Sequence, residues 1–439
     1  MQSEVAFLVY DPLKARRKDN SFDGNQNTGA RLIKQIVERA GIPVGFCSAE
    51  TANEYRVVLV SFMSNYDMFA FYRAVALLPF WQRGKRTFRV VAGGAGMQNP
   101  VSVRNFVDAA AFGRAETFAA RLVQAALDSK PFDHPSVMHL PDIHPVEFCQ
   151  ASEVYPNIVG GWQEAQIGCP HKCAFCHYTW GRKRVVAAGV GNAAYLASNI
   201  IGGNASPEVT WRDVGEYAQK FSRITGAIDG SSERLRFAVN KVIRNEEIVN
   251  AIETAGSTEG TKHISALNVV NYPTETDEDR KEIEDVMRKA NPKNKVVVVL
   301  RPCQFRPSVL TPMQWEPVSI FPATCKKARN FVARRETLTV IYSGGIESPW
   351  SHLEAVLAER ALPTKEFAGM FHAICFASKL QSGLWAEKVR RLQANFDIKP
   401  YVREYDFDEK HPCWFLRSYT DPEDLKKAGR IVRRRLANG

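Results

Sequence analysis

Long apolar stretches are absent from this chain of 439 residues, and cysteine is scarce, with nine residues in total. No run of 18 or more apolar residues occurs, so hydropathy predicts no membrane-spanning helix. The first twenty residues also lack the charged and then apolar order of a signal peptide, so we expect a cytoplasmic protein. Because cytoplasmic thiols stay reduced, clustered cysteines are expected to bind metal or to do chemistry rather than to form disulfides.

The composition is that of a folded protein with more than one domain. Hydrophobic residues make up 45% of the chain and charged residues 24%, and the length indicates two or three domains. The formal net charge is +11, with basic runs such as "RGKR" at 83–86 and "GRKR" at 181–184. This excess is compatible with a nucleic-acid or nucleotide partner, and it is equally compatible with solvated helix faces.

Residues 1–130 alternate apolar strands with amphipathic helices. The strand patterns include "EVAFLVYD", "YRVVLVSFM" and "TFRVVAGG", and helical patterns such as "TGARLIKQIVERAG" lie between them. This alternation predicts a Rossmann-like, doubly wound α/β domain whose parallel sheet binds ligands at the carboxyl ends of its strands. Residues 131–160 are rich in proline, lack periodicity and are expected to form a linker.

Three of the nine cysteines lie close together in the stretch "GCPHKCAFCHYTW" at residues 168–180. Cys169, Cys173 and Cys176 have the spacing C-x3-C-x2-C, which matches neither the paired knuckles of zinc modules nor the longer ferredoxin runs. Three thiolates on a tight loop can hold three irons of a 4Fe-4S cluster and leave the fourth iron open for a small molecule. The alternative is a zinc site or three incidental buried cysteines.

This cysteine pattern, with an aromatic residue directly before the last cysteine, resembles the radical S-adenosylmethionine (SAM) superfamily. Further blocks resemble that superfamily in the same order, and they are most similar to the methylthiotransferase-like and cobalamin-domain branches. These blocks are "EVTWRDVGEY", "GSSERLRFAVNK" (230–241), "NVVNYPTETDEDRKEIEDVM" and "FRPSVLTPMQWEPV" (305–318). The resemblance covers roughly residues 155–320 by motif and residues 1–130 by architecture.

The resemblance implies a partial (β/α)6 radical SAM barrel over residues 161–320 and a mainly helical region over residues 321–439. It implies a 4Fe-4S cluster on the three cysteines, SAM on the open iron, and an electron donor such as flavodoxin or ferredoxin. In that family, one electron from the cluster cleaves a carbon–sulfur bond of SAM to give a 5′-deoxyadenosyl radical.

The same resemblance assigns side chains to SAM. Phe175 is expected near the adenine, Gly215 and Glu216 at the amine, and Ser232 at the ribose, although Ser232 fits a helix N-cap as well. The residues that follow the cluster loop are candidates for the substrate entrance, namely His177, Tyr178, Trp180 and Arg182.

The first domain resembles the cobalamin-binding domain that precedes many radical SAM barrels. Ser61 opens "SFM", in place of an S-x-L element, and Gly93 and Gly94 match a GG element of that fold. The D-x-H-x-x-G loop is missing, because the first strand continues into "YDPLKARRKDN" without a histidine for cobalt. Two interpretations stay open: cobalamin bound without a histidine ligand, and a domain that only shapes the substrate channel.

The leading functional hypothesis is radical modification of an unactivated carbon, with methylation of a nucleobase or nucleic acid as the first candidate. The alternative is a cobalamin-independent rearrangement or cyclisation of a small metabolite. Methylthiotransferase activity is less favoured, because only Cys47 precedes the linker and Cys149 lies at its end. A non-enzymatic iron–sulfur or nucleic-acid-binding module would need the cluster loop without a SAM site.

A further segment, "LTVIYSGGIESP" at 338–349, resembles the ATP-binding loop of PP-loop pyrophosphatases. Glu347 stands where that loop has an aspartate, and about ninety residues follow, too few for the nucleotide-binding domain that such a loop opens. ATP binding there is therefore not favoured. The basic tail that follows is expected to cap the barrel or to touch an anionic substrate.

Overall fold

The structure is a computed structural model that describes residues 3–10, 28–65, 67–155, 163–164, 166–169, 171–186, 200–201, 208–320, 330–343 and 349–438. Within these ranges no helix has the length and apolar character needed to cross a membrane. The phosphate-loop candidate around Glu347 lies outside the described residues.

The first sheet has six strands, in the order β2-β1-β3-β4-β5-β6. The strands are β1 (Val5–Leu8), β2 (Val44–Cys47), β3 (Val57–Ser61), β4 (Arg89–Gly93), β5 (Ala109–Ala111) and β6 (Val137–His139). Strands β1 to β5 are parallel, and β6 runs antiparallel to β5. The helices of this part are α1 (Thr28–Arg39), α2 (Asp67–Val75) and α3 (Ala119–Leu127).

Both faces of the first sheet are buried, as a parallel sheet covered by helices requires. Leu8 and Val60 face α2, while Phe7 and Leu59 face α1 and α3. The sheet is therefore doubly wound, in agreement with the alternation of strands and helices in the sequence. Its strand order reverses between β1 and β3, which is the point where sheets of this kind open a ligand crevice at the carboxyl ends.

Short elements connect the two sheets of the molecule. They are β7 (Val146–Glu147), β8 (Gln163–Glu164), β9 (Gln166–Ile167), α4 (His177–Trp180), β10 (Val185–Val186) and β11 (Ile200–Ile201). Strand β9 pairs with β10 and β8 with β11, both in antiparallel fashion.

The second sheet also has six strands, in the order β12-β13-β14-β15-β17-β16. Its elements are β12 (Glu208–Thr210), α5 (Val214–Lys220), β13 (Arg223–Ala227), α6 (Glu233–Ala238), α7 (Asn245–Ala255), β14 (Lys262–Val270), α8 (Asp277–Lys289), β15 (Val296–Gln304), β16 (Asn330–Arg334) and β17 (Leu338–Tyr342). All strands are parallel except β16, which runs antiparallel to β17.

The second sheet continues beyond residue 320, where the sequence led us to expect a mainly helical region. Strand β17 pairs in parallel with β15 and buries Leu338 and Val340 in the same core as the earlier strands. The boundary at residue 320 was set at the end of the last recognisable motif. The sheet extends past it, because one more parallel strand, β17, pairs with β15. The helical part of the chain therefore begins only after β17.

The C-terminal region is helical, and most of it packs on the first domain. Its elements are α9 (Pro349–Glu359), α10 (Lys365–Phe376), α11 (Ser378–Gln381), α12 (Trp385–Asn395), α13 (Lys399–Val402), β18 (Leu416–Arg417) and α14 (Pro422–Asn438). The rings of Phe371 on α10 and Phe69 on α2 lie 4.0 Å apart, and β18 pairs with β7. Helix α14 instead contacts the second domain, where Arg433 Nε lies 2.8 Å from Glu316 Oε1.

A buried carboxylate at the end of α9 joins the two domains. Glu359 accepts a hydrogen bond from the Asn65 side-chain amide at 2.8 Å and another from the Val309 backbone N–H at 2.8 Å. Arg306 Nε lies 3.5 Å from the same carboxylate. Burial raises the pKa of Glu359, while the Arg306 charge opposes the rise. We call this group the Glu359 junction.

The next residue, Arg360, extends the junction with backbone contacts. Its guanidinium is 1% exposed and donates to four carbonyl oxygens, those of Gln314, Glu316, Tyr401 and Arg403. Asn99, in the loop after β4, donates to the carbonyl oxygens of Glu359 and Ala361. One turn of α9 thus fixes segments from the first domain, the second domain and the C-terminal region.

Replacing Glu359 by alanine should lower the free energy of unfolding by about 3–5 kcal/mol, because its buried partners lose their acceptor. Urea unfolding followed by circular dichroism measures this loss. The matched control is Glu366→Ala, which removes an exposed carboxylate from α10 and should change stability by less than about 0.5 kcal/mol. Equal stabilities of the two variants would contradict the role of the junction.

Candidate functional site

The cysteine loop lies between β9 and α4. Gly168 adopts a φ of +70° directly after β9, a conformation that glycine takes without steric cost. The Cys176 N–H donates to the Cys173 carbonyl at 3.2 Å, and the Trp180 indole donates to the same carbonyl at 3.0 Å. The loop is therefore a compact turn with Trp180 supporting its middle.

Two further hydrogen bonds attach the cysteine loop to the end of the "GSSERLRFAVNK" block. The Ala174 N–H donates to the Val239 carbonyl at 2.8 Å, and the Asn240 amide donates to the Lys172 carbonyl at 2.9 Å. Residues more than sixty positions apart in the sequence are thereby held in contact.

An aromatic wall connects the loop with two other motif blocks. The ring centroids of Phe175 and Tyr272 lie 6.1 Å apart, and those of Tyr272 and Phe305 lie 5.1 Å apart. Ala174, Tyr272 and Phe305 share one buried cluster with Leu235 on α6, and Leu436 on α14 joins it. Three motif blocks thus meet beside the cysteines, whereas none of the described side chains of the "EVTWRDVGEY" block belongs to this cluster.

The site lies at the carboxyl edge of the second sheet. Asp229 follows β13, Asn271 follows β14, and Gln304 is the last residue of β15. The Asn271 side-chain amide donates to the Gln304 side-chain oxygen, and the Tyr272 hydroxyl donates to the Asp229 carbonyl at 3.1 Å. This is the edge at which β/α proteins bind substrates and cofactors.

The electrostatics of the cysteines depend on burial and on one buried ion pair. Burial raises the pKa of Cys173 to about 12; Lys241 opposes the rise, and Asp229 and the other two cysteines add to it. Burial likewise raises the pKa of Cys176 to about 11. Lys241 Nζ lies 2.8 Å from Asp229 Oδ2. Burial alone would lower the pKa of Lys241, but Asp229 and Cys173 outweigh it and raise that pKa.

These properties fit a site for a cationic group. Because burial and mutual repulsion disfavour the thiolates of Cys173 and Cys176, these two are expected to form only when positive metal ions neutralise them. In the described part of the chain, no three His, Cys, Asp or Glu side chains are placed to hold a single metal ion. An iron–sulfur cubane requires a wider spacing of the sulfurs, because each thiolate binds a different iron.

The residues expected at the SAM amine lie on helix α5. Gly215 is buried against α7, where a Cβ atom would lie 2.8 Å from the Thr254 Cβ, so the glycine permits close packing of the two helices. The Glu216 side chain is 68% exposed, and its Oε1 lies 4.0 Å from Lys220 Nζ. Among the described contacts, none joins either residue to the cysteine loop, and their role at SAM stays a prediction.

Ser232, the expected ribose ligand, is fully buried and caps helix α6. Its hydroxyl oxygen accepts the Leu235 N–H at 3.3 Å, and the hydroxyl donates to Asp279 Oδ1 at 2.5 Å. Asp279 also pairs with Arg234. The N-cap interpretation therefore accounts for Ser232, and ribose binding stays a prediction without structural support.

Three of the four entrance candidates pack together beside the cysteine loop. The ring centroids of His177 and Tyr178 are 4.3 Å apart, and the Arg182 guanidinium lies 4.3 Å from the Tyr178 ring. Burial, with the charges of Arg182 and Arg306, lowers the pKa of His177 to about 3, so the ring is neutral at pH 7. Trp180 is separate, because its indole supports the loop and its ring faces Lys172 at 4.9 Å.

The residues expected at cobalamin lie at the carboxyl edge of the first sheet. Ser61 and Gly93 end β3 and β4, and the Tyr10 hydroxyl donates to the Ser61 carbonyl at 2.6 Å. Gly94 has a φ of +103°, and a Cβ there would lie 2.3 Å from the Phe62 carbonyl oxygen. Gly94 thus contacts the loop that follows β3. Ser61, Gly93 and Gly94 lie at the carboxyl edge of the sheet, as expected, and their contact with cobalamin stays a prediction.

Sequence analysis missed the Lys241–Asp229 ion pair and the part played by Tyr272. Lys241 closes the "GSSERLRFAVNK" block, and Asp229 immediately precedes it, so both were close to a recognised motif. Tyr272 lies in the "NVVNYPTETDEDRKEIEDVM" block, but nothing in the sequence indicated a role for it. Its hydrogen bond to the Asp229 carbonyl and its contact with Phe175 depend on folding and leave no trace in spacing.

Comparison with known proteins gives limited information. No protein-family model matches the chain, and no curated protein is significantly similar to it. Solved structures of the cobalamin-dependent S-adenosylmethionine radical enzyme OxsB are similar. The form with aqua-cobalamin and S-adenosylmethionine bound aligns at 9% identity and a TM-score of 0.43, over 90% of this chain and 70% of that one.

Two further OxsB structures align less well. The apo form and the form with aqua-cobalamin bound both share 10% identity with this chain, with TM-scores of 0.28 and 0.26. The alignments cover 94% and 99% of this chain but only 60% and 56% of those chains. Likeness at these levels carries no argument about activity, so function is inferred from the residues of the site.

Replacing Ser232 by alanine should lower the free energy of unfolding by about 1–2 kcal/mol, because α6 loses its cap and Asp279 loses a donor. Urea unfolding measures the change, and Ser257→Ala, at an exposed position after α7, serves as the control. An unchanged stability of Ser232→Ala together with weakened SAM binding would favour the ribose role instead.

Proposed function

We propose that this chain is a radical SAM enzyme of the cobalamin-binding branch. The observation that carries the proposal is the meeting of the cysteine loop with Val239, Tyr272 and Phe305, each from a different motif block, at the carboxyl edge of the second sheet. Cys169, Cys173 and Cys176 would hold a 4Fe-4S cluster there. Incidental buried cysteines would not require a compact turn, a buried counter-charge and three converging motifs.

The second sheet would be the core of the partial (β/α)6 barrel. Its five parallel strands provide five of the six strand positions. The segment that contains β8 and β9 leads directly into the cysteine loop and would provide the first position. The cluster loop would then lie where the first strand of the barrel ends.

The side chains of the site have distinct tasks in this proposal. When bound, a cluster of this class supplies the electron that breaks a carbon–sulfur bond of SAM. The three thiolates would bind its irons, and the Lys241 ammonium would offset part of their negative charge. Phe175 and Tyr272 would exclude water from one side of the loop, and Phe175, half-buried, would offer its ring to the adenine.

Cobalamin would bind at the carboxyl edge of the first sheet. The loops after β3 and β4, through Asn65 and Asn99, contact Glu359, and so does Val309 from the segment after β15. The junction therefore brings the carboxyl edges of both sheets toward each other, as an enzyme with two cofactors would need. No histidine ligand is proposed, and Ser61, Gly93 and Gly94 mark the location.

The reaction proposed is modification of an unactivated carbon, with methylation of a nucleobase or nucleic acid as the first candidate. The net charge of +11 supports an anionic substrate, and an electron donor of the flavodoxin or ferredoxin class would be required. Titration of hydroxocobalamin into the full chain decides between methylation and metabolite rearrangement. Micromolar binding supports methylation, and absence of binding supports rearrangement.

Anaerobic reconstitution should load about four irons on the wild-type chain, and the Cys173→Ala variant should lose most of them. With dithionite and SAM, the wild type should form 5′-deoxyadenosine and the variant should not. The control is Cys47→Ala, which removes a buried thiol of the first domain and should keep both properties. Iron retained after all three loop cysteines are changed to alanine would refute the cluster assignment.

Substitutions at the buried ion pair should shift the reduction potential of the cluster in opposite directions. Lys241→Gln should lower it, because a nearby positive charge is lost, and Asp229→Asn should raise it. Shifts of tens of millivolts are expected, about 60 mV being a tenfold change for one electron. Redox titration followed by electron paramagnetic resonance measures them.

The control for this pair is Lys220→Gln, since that ammonium is 69% exposed on α5 and its charge is screened by water. A purely structural role of the pair would not produce shifts of opposite sign. Shifts of the same sign in both variants, or no shift in either, would show that the pair does not act on the cluster.

A further inference from the structure

A pair of adjoining cavities lies at the opposite edge of the first sheet, at the amino ends of its parallel strands. Arg56 immediately precedes β3, Arg89 begins β4, and Asp108 immediately precedes β5. The cavities have volumes of about 380 and 340 Å³ and share Arg83 and Ser129, among other lining residues. They therefore form one continuous recess, away from the carboxyl edge that holds Ser61 and Gly93.

The recess is strongly cationic. Asp108 is the single carboxylate among its lining residues. The cations of the lining are Arg56, Arg83, Arg86, Arg89 and Lys130. A concave surface lined by charges of one sign concentrates oppositely charged ligands.

Asp108 offsets only part of this charge, because one carboxylate faces five cations and its oxygens are already engaged. Oδ1 pairs with Arg86 and lies 3.7 Å from Arg83, and Oδ2 accepts the Val90 N–H at 2.7 Å. The Arg89 side chain is exposed and has no hydrogen bond or ion pair among the described residues. Arg89 is therefore a guanidinium that is free to bind an anion.

Partners outside the recess only partly offset the remaining cations. Arg56 pairs with Glu4 at 2.8 Å, in a pair whose side chains are both 57% exposed, and Lys130 lies 3.7 Å from Asp128. Burial lowers the pKa of Arg86; Asp108 opposes this, and the neighbouring charges of Arg83 and Arg89 lower the pKa further. A bound anion would relieve this repulsion.

The two halves of the recess differ in character. The half with Arg56 and Arg86 is mostly polar. The other half shares Arg83, Arg89 and Asp108 with it and adds an apolar wall that includes Val91, Leu122 and Phe132. A fitting ligand thus combines phosphate-like charge with a compact apolar part. Guanidinium groups bind phosphate through paired N–H donors, and aromatic and aliphatic side chains bind the faces of bases.

We propose that this recess binds a nucleotide, either free or at the end of a nucleic-acid strand, with phosphates at the arginines and the base in the apolar half. The site is separate from the cysteine loop, and its use does not depend on the function proposed above. It gives Arg83 and Arg86 of the basic run "RGKR" at 83–86 a specific role in place of general solvation.

Isothermal titration of the full chain with ADP, pyrophosphate, adenosine and a single-stranded oligonucleotide tests the proposal. ADP should bind more tightly than pyrophosphate or adenosine, and Arg89→Gln should weaken ADP binding about 10-fold, as expected for one charge-assisted contact. Arg390→Gln, which removes an exposed charge from α12, is the control and should leave ADP binding unchanged.

The outcomes separate the sources of the phosphate. An oligonucleotide that binds more tightly than ADP, and loses this advantage in Arg89→Gln, identifies a nucleic-acid strand, whereas weaker oligonucleotide binding identifies a free nucleotide. The variant with all three loop cysteines changed to alanine should still bind ADP, so failure of the radical SAM proposal leaves this test intact. ADP binding that is absent, unaffected by Arg89→Gln, or matched by pyrophosphate would overturn the proposal.

Discussion

The burial of Glu359 and Arg360 side by side at the end of α9 is the constraint on which the rest of the architecture depends. A carboxylate and a guanidinium are costly to remove from water, and the structure offsets this cost by giving nearly every polar atom a partner. Those partners belong to three separate segments of the chain: the loops of the first sheet, the stretch after β15, and the region around Tyr401 and Arg403. The segments cannot separate without exposing or orphaning the charges. The mutual position of the two sheets is therefore set by charge satisfaction as well as by apolar packing.

The cysteine loop also combines buried polar groups with a counter-charge, on a smaller scale. Cys173 is buried and Cys176 is half-buried near the Lys241 ammonium, which is itself paired with Asp229. The rise in the pKa of Cys173 and Cys176 means that the loop in isolation favours neutral thiols, and that a positively charged group would be needed to convert them into ligands. The aromatic wall of Phe175, Tyr272 and Phe305 then limits access of water from one side. Backbone and side-chain hydrogen bonds, from Ala174, Trp180 and Asn240, hold the described part of the loop in place.

The sequence was sufficient to predict the first sheet and the existence of the site. It was less informative about which residues form the site. Alternation of strands and helices predicts a doubly wound domain, because parallel sheets need covering on both faces. Cysteine spacing marks the loop, because its residues are neighbours in the chain. Glu216 and Ser232 were assigned by motif position, yet one side chain is exposed on α5 and the other caps α6. The contact of Glu359 with Asn65, residues from opposite parts of the chain, and the pairing of Lys241 with Asp229 across α6 follow from tertiary packing and leave no periodic signal.

The packing of α9, α10 and α12 on the first domain bears on how the protein folds during synthesis. The core that contains Phe69 and Trp81 also contains Leu357, Phe371 and Leu392, from the opposite half of the sequence. Chains emerge from the ribosome from the N-terminus at about 5–20 residues per second. Helix α2 covers this face of the first sheet early, but the outer side of α2, where Phe69 contacts Phe371, would stay uncovered for tens of seconds while the second domain is made. This exposes apolar surface to chaperones and to aggregation. The contacts through which α9, α10 and α12 join the two domains can therefore form only when most of the chain has been translated.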